Sequence, residues 1–192
     1  MKEIIRKALS VYAPITDATA ALLSGAAEIV NFSEDEFLEQ ENNVIRNEFV
    51  VLEGIVRGYL LNSEGEDVTV NFYISGNAVT PAIMRGINNR SIYNLQVISG
   101  KARILVFNNM RMEDLMPYNA DLQQFGNTIV MLDSMRRMEK EVLLLKETAR
   151  GKLDWFRKIY PGLENKIQHY YIASYLGITP TSLSRVRGTS LS

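Results

Sequence analysis

The chain has 192 residues, is 46% hydrophobic and carries a formal net charge of −1, enough for one large domain or two small ones with a real core. It contains no cysteine, which excludes disulfides, Cys-ligated zinc and cysteine-held iron–sulfur clusters. No apolar run reaches the roughly 18 residues of a membrane span, and the start has charges spread through it with no apolar leader, so no membrane partner is expected and the cytoplasm is the expected compartment.

Residues 1–24 carry Ala, Leu and Ile at helical spacing, and Thr16-Asp17 after Pro14 offers a capping start. From about Ala27 the grammar changes to short apolar clusters punctuated by Gly and Asn, which is strand spacing. The clearest unit is EGIVRGYLLNSEGEDVTVNFY. Ile55, Arg57, Tyr59 and Leu61 alternate with their neighbours, Ser63-Glu64-Gly65-Glu66 turns the chain, and Val68, Val70 and Phe72 alternate on the return, as in a β-hairpin. Further strands are expected over 92–98 and 102–107. Several short strands separated by turns predict an antiparallel sandwich or roll.

After Asn108-Asn109 the pattern is helical. Leu122, Phe125, Ile129, Leu132, Met135, Met138, Val142 and Leu145 are spaced by threes and fours with one skipped residue, a stammer in a heptad pattern. One helix over about 112–146 would be roughly 50 Å long, and a seam of this kind meets another helix. The expected partner is a second copy of the chain, with Met131, Met135, Met138, Val142 and Leu145 at the interface; packing within the monomer is the alternative. Leu153, Phe156 and Ile159 then mark a short amphipathic helix, ended by Pro161-Gly162.

The near-zero net charge hides an asymmetry. Residues 148–192 hold seven Lys or Arg and two acids, whereas residues 1–147 hold 14 basic and 20 acidic residues. A basic tail on an acidic body suits a polyanionic partner, or is a chance fluctuation on a solvated surface. Within that tail, YIASYLGITPTSLSRVR meets the demands of a helix-turn-helix. Ala173 is small where two helices cross. Gly177 tolerates positive φ at the turn. Leu176 and Ile178 flank it, Thr179 caps the second helix and Pro180 opens it. Leu183 and Val186 supply the buried stripe opposite Ile172. The exposed positions Thr181, Ser182, Ser184, Arg185 and Arg187 all carry donors and none is acidic. Arginine at a groove-facing position reads guanine O6 and N7, and hydroxyls near a helix N-terminus suit phosphates. The expected DNA-contacting set is Thr179, Thr181, Ser182, Ser184, Arg185 and Arg187; the bland alternative is a helix pair that only packs.

With these residues in view, nearly the whole chain resembles the CRP/FNR family of bacterial transcription regulators, in the form common in Bacteroidetes. The resemblance implies an α+β chain: an N-terminal cyclic-nucleotide-binding-like antiparallel β-roll over 1–110, a long dimerisation helix over 111–146 and a C-terminal helix-turn-helix domain over 147–192. It implies a homodimer acting on double-stranded DNA, with RNA polymerase as a further partner. In SGNAVTPAIMRGINNRSIYNL, Gly76 is followed by Asn77 where relatives that bind cyclic AMP carry a ribose-holding Glu, while Arg90-Ser91 fits their phosphate-holding pair. The expected ligand set is therefore Gly76, Asn77, Arg90 and Ser91, with no cofactor assigned: cyclic AMP is disfavoured, another small anion stays open, and Arg90 is otherwise an exposed loop arginine. Thr181 stands where the family often has a cytosine-reading Glu, and Arg185 matches its guanine-reading Arg, which implies a different half-site. The few residues after Arg187 leave little length for a wing strand.

Other chemistries find little support. The single histidine, His169, lies far from the roll in sequence, so haem sensing is not expected. No nucleophile sits beside a base and no metal-spaced set or Gly-rich phosphate loop occurs, so catalysis is not expected. Glu34-Asp35-Glu36 reads as a solvated turn. The competing function is a ligand-binding module that regulates a protein partner.

Overall fold

The computed structural model describes residues 1–86 and 90–188. By contacts the chain forms two compact units, Met1–Gly58 with Phe72–Ser134, and Tyr59–Asn71 with Met135–Ser192. Among the described residues no helix is long and apolar enough to cross a membrane.

The first unit opens with α1 (Lys2–Leu9) and α2 (Asp17–Leu23). The Thr16 hydroxyl accepts from the Thr19 amide at 3.2 Å, the cap expected from the sequence. Eight strands follow: β1 (Ala27–Ser33), β2 (Phe37–Glu39), β3 (Asn47–Glu53), β4 (Ile55–Leu61), β5 (Asp67–Ile74), β6 (Ala78–Val79), β7 (Asn94–Val97) and β8 (Lys101–Asn108). They form two four-stranded sheets, ordered β1-β8-β3-β6 and β2-β7-β4-β5. The β1–β8, β3–β8, β3–β6 and β2–β7 pairs are antiparallel. This is the expected roll. Its core includes Phe49, Val51, Ile104, Leu105, Val106 and Phe107, all buried; β-branched and aromatic side chains of this kind favour the pleated, half-buried surface of a strand. Gly54 has φ +97°, and a Cβ there would stand 2.7 Å from the Ala102 Cα and from the Lys101 carbonyl oxygen, so only glycine lets β3 turn into β4 against β8.

The β4–β5 turn is closed by Asn62, whose side-chain oxygen accepts from the amides of Glu64 and Glu66, both at 2.9 Å. Gly65 supplies the positive φ, +79°. A short helix, α3 (Pro81–Met84), precedes β7.

The expected single helix over 111–146 is divided. α4 (Asn109–Leu115) gives way to a 3₁₀ turn at Met116–Tyr118, and α5 runs Ala120–Lys146. Pro117 is the cause: it has no amide hydrogen to donate and its ring clashes with the preceding turn. Asn119 restarts the helix by accepting from the Leu122 amide at 3.0 Å. The 27 residues of α5 span about 40 Å rather than 50.

The expected continuous seam is likewise two faces. Leu122, Phe125 and Ile129 are buried in the first unit, with the Phe125 ring edge-on to Tyr12 at 5.6 Å. Met131, Met135, Met138, Val142 and Leu145 are 54, 48, 62, 53 and 84% exposed. At 100° per residue these five share one stripe, roughly opposite the first. The skipped residue marks the change of face, not a stammer within one seam.

In the second unit, α6 (Ala149–Ile159), α7 (His169–Tyr175) and α8 (Pro180–Gly188) surround an aromatic nest. Phe156, Tyr160 and Tyr175 lie 5.3–6.0 Å apart between ring centroids, and Trp155 stacks on Tyr175 at 6.3 Å. Residues of the β4–β5 hairpin tip complete this unit. Tyr160 donates to Asn71 at 3.0 Å, Tyr170 to Asp67 at 2.9 Å, and the Ser174 hydroxyl accepts from the Thr69 amide at 2.9 Å.

Lys140 is half-buried among these groups. Its Nζ donates to the Val70 carbonyl at 3.0 Å and lies 3.6 Å from the centre of the Tyr175 ring. Burial, with Arg137 adding repulsion, lowers its pKa to about 7. Between that value and its unfolded one, the unfolded chain holds a proton that the folded chain does not, so stability rises with pH in this window. Relative to Lys140→Met, wild-type stability in urea is expected to gain on the order of 2 kcal/mol from pH 7 to pH 9; parallel pH profiles for the two proteins would contradict this.

Candidate nucleic-acid interface and effector cavity

The helix-turn-helix forms as its sequence requires. Ile172, Ala173, Tyr175, Leu176 and Leu183 are buried, while Ile178 and Val186 are half-buried. Gly177 has φ +59°. The Ile178 amide returns to the Ala173 carbonyl at 3.1 Å, the Schellman-type closure that a left-handed residue permits. The Thr179 hydroxyl accepts from the Ser182 amide at 3.1 Å and donates to the Ser182 hydroxyl at 2.9 Å, so the two cap α8 together.

Of the residues expected to contact DNA, Thr179, Thr181, Ser184 and Arg185 are exposed and Ser182 is half-exposed. They project from the first two turns of α8, where helix amides and dipole favour anions. Arg187 is placed differently. Its Nε donates to Glu164 Oε1 at 2.6 Å, and its Nη1 lies 2.8 Å from His169 Nδ1. Glu164 is buried and also accepts from Arg157, at 2.6 and 3.0 Å. Hydrogen bonds from Arg157 and then Arg187 hold its carboxyl below the usual carboxylate range. Arg187 thus anchors the end of α8 to the domain. Its partner lies 23 residues away, so helix periodicity alone cannot reveal it.

The four residues expected to bind a ligand are each engaged by the protein itself. The Tyr12 hydroxyl donates to the Gly76 carbonyl at 3.1 Å and accepts from the Ala78 amide at 2.8 Å. The Asn77 side chain accepts from the Ile74 amide at 2.9 Å. Arg90 donates to the Asn42 carbonyl, and buried Ser91 donates to the Tyr93 carbonyl at 2.6 Å. Asn88 and Asn89, beside Arg90, lie outside the described residues.

A cavity of about 480 Å³ lies elsewhere in the same unit, bounded by β3, α3, α4 and α5. Its polar wall includes Glu48, Arg85, Asn109, Glu113, Gln123 and Asn127; none of Gly76, Asn77, Arg90 or Ser91 lines it. Pro81, Met116, Phe125 and Val130 give it an apolar side. Arg85 donates to Glu113 at 3.1 Å, and Asn109 to the same oxygen at 3.0 Å. Glu48 is only 5% exposed. Burial, then the neighbouring Glu113, raises its pKa to about 7. In the sequence Glu48 is one acid just before the apolar run Phe49–Leu52, and nothing local announces its burial. Among the described residues no cluster of three or more His, Cys, Asp or Glu could hold a metal ion.

No protein-family model and no curated protein sequence matches the chain. Solved structures do share its fold. FixK2 from Bradyrhizobium japonicum superposes with a TM-score of 0.73 at 17% identity, covering 85% of this chain and 83% of that one. A chain from Eubacterium rectale, described as a transcriptional regulator of the crp/fnr family, gives 0.70 at 17% identity, covering 92% and 84%. The c-di-GMP responsive global regulator CLP of Xanthomonas campestris gives 0.70 at 10% identity, covering 91% of each.

Proposed function

We propose that this chain is a homodimeric, sequence-specific DNA-binding transcription regulator of the CRP/FNR type. In this reading residues 1–110 form a sensor, 111–146 the dimerisation segment and 147–192 the DNA-reading domain, and the protein works in the cytoplasm with RNA polymerase as a further partner. The observation that carries it is the exposed face of α8. Thr181, Ser184 and Arg185 are exposed, the helix is capped by Thr179 and Ser182, and the other end is fixed by Arg187. A capped helix that presents hydroxyls and an arginine, with no carboxylate, suits the acceptor-rich major groove. The fold shared with solved regulators supports the same reading. The methionine stripe on α5 supports the dimer, because five apolar residues at alternating four- and three-residue spacing present a seam to a second helix. Two heads on a two-fold axis then read half-sites about one helical turn apart.

Fluorescence anisotropy with duplex DNA tests this. Affinity is expected to fall steeply with salt, as phosphate contacts release counterions. Arg185→Ala is expected to lose about 1–3 kcal/mol of discrimination at one base pair of each half-site. Salt-insensitive or undetectable DNA binding by the wild type would favour a module that acts on a protein partner.

A further inference from the structure

The cavity bounded by β3, α3, α4 and α5 holds a carboxyl group that no described residue hydrogen-bonds. Glu48 is 5% exposed, lines the cavity, and among the described residues its side chain makes no hydrogen bond; only burial and two charged neighbours act on it. Its carboxyl oxygens are not sealed from the cavity, so a molecule entering it can reach them and supply the hydrogen bonds the protein does not. The charged groups facing Glu48 are Arg85, at the end of α3, and Glu113, on α4. Arg85 is already committed to Glu113 at 3.1 Å. From α5 the cavity receives the neutral amides of Gln123 and Asn127. An anion entering it would meet two carboxylates and one neutralised guanidinium. A cation would meet the same groups and be attracted by them.

We propose that this cavity is a ligand site whose occupant is a small molecule carrying a cationic nitrogen, an amine or an amidinium, seated on the Glu48 carboxylate, with an apolar body against Pro81, Met116 and Phe125. Binding keeps Glu48 ionised, so the ligand competes with a proton for the same group. That occupancy alters DNA affinity rests on the regulator reading; the site itself does not.

The test is calorimetric titration of the full chain with benzamidine, a planar amidinium on a ring, alongside its neutral and anionic counterparts benzamide and benzoate. Benzamidine is expected to bind and benzoate not to bind. Affinity is expected to be at least about tenfold tighter at pH 8 than at pH 6, because the proton must leave Glu48 first. Glu48→Gln, which keeps the shape and removes the charge, is expected to lose at least about tenfold and to lose the pH dependence, with its circular dichroism unchanged. Absence of benzamidine binding at millimolar concentration, preference for benzoate, or equal binding by Glu48→Gln would each overturn the assignment. Should Glu48→Gln misfold, chemical shifts of the Glu48 side-chain carboxyl carbon in the wild type give the same answer, since benzamidine must shift its titration to lower pH. DNA anisotropy on the same samples separates the two readings. A protein that binds DNA but not benzamidine loses the cation site and keeps the regulator function, whereas one that binds benzamidine but not DNA does the opposite.

Discussion

A chain carrying Met138→Asp is expected to sediment as a monomer at micromolar concentration, and the wild type as a dimer. Met138 is 62% exposed in the isolated chain and sits at the centre of the Met131–Met135–Met138–Val142–Leu145 stripe. In a two-fold helix pair the two copies of residue 138 approach each other. Each Asp would lose its hydration and meet a like charge. A loss of at least about 4 kcal/mol is expected, which is about a thousandfold in the dimer dissociation constant. The helix itself survives, because Leu122, Phe125 and Ile129 hold the opposite face in the first unit, so circular dichroism stays unchanged. DNA affinity falls with the dimer, since a monomer reads one half-site. A variant that remained dimeric would place the interface elsewhere on the chain.

Glu164→Ala is expected to destabilise the C-terminal helices by about 3 kcal/mol. Glu164 accepts from two arginines, Arg157 on α6 and Arg187 on α8, at 2.6–3.0 Å. Removing it leaves two partly buried guanidinium groups facing each other, the situation that makes a broken buried ion pair expensive. The arginine side chains are 34 and 30% exposed, so water recovers part of the loss and the lower end of the usual range applies. The wild type is expected to show the same dependence through pH. The folded carboxyl is held below its ordinary value, so its contribution is complete above the unfolded pKa and disappears as pH falls through the folded one. Glu164→Gln, which keeps one acceptor, should lie between the two. Urea melts that place Glu164→Ala within error of the wild type would show that the cluster contributes nothing to the fold.

The helix-turn-helix was legible because its constraints are local. Ala173, Gly177 and Thr179-Pro180 each answer a backbone requirement within a few residues of themselves. The β4–β5 hairpin was legible for the same reason, with a glycine turn between two alternating runs. The long helix was misread at Pro117, whose effect on the backbone outweighs the apolar spacing on either side of it. Its heptad pattern was misread because two stripes on different faces can be strung into one list when only gaps are counted. Arg187 looked like a groove-facing donor because Glu164, its partner, is distant in sequence. The cavity was missed for a related reason. Ligand-binding residues were sought at Gly76, Asn77, Arg90 and Ser91, with Arg90-Ser91 as the phosphate-holding pair, while Glu48, Arg85 and Glu113 come from three separate elements that meet only in the folded unit.

The central claim is that α8 reads DNA as one of a symmetric pair. Its most direct test is selection of bound fragments from a random double-stranded pool at fixed salt, with wild type and Arg185→Ala in parallel. An enriched two-fold motif with half-sites about one helical turn apart, blurred at one position of each half-site by Arg185→Ala, is the result this account predicts. No enrichment, or a motif unchanged by Arg185→Ala, would contradict it.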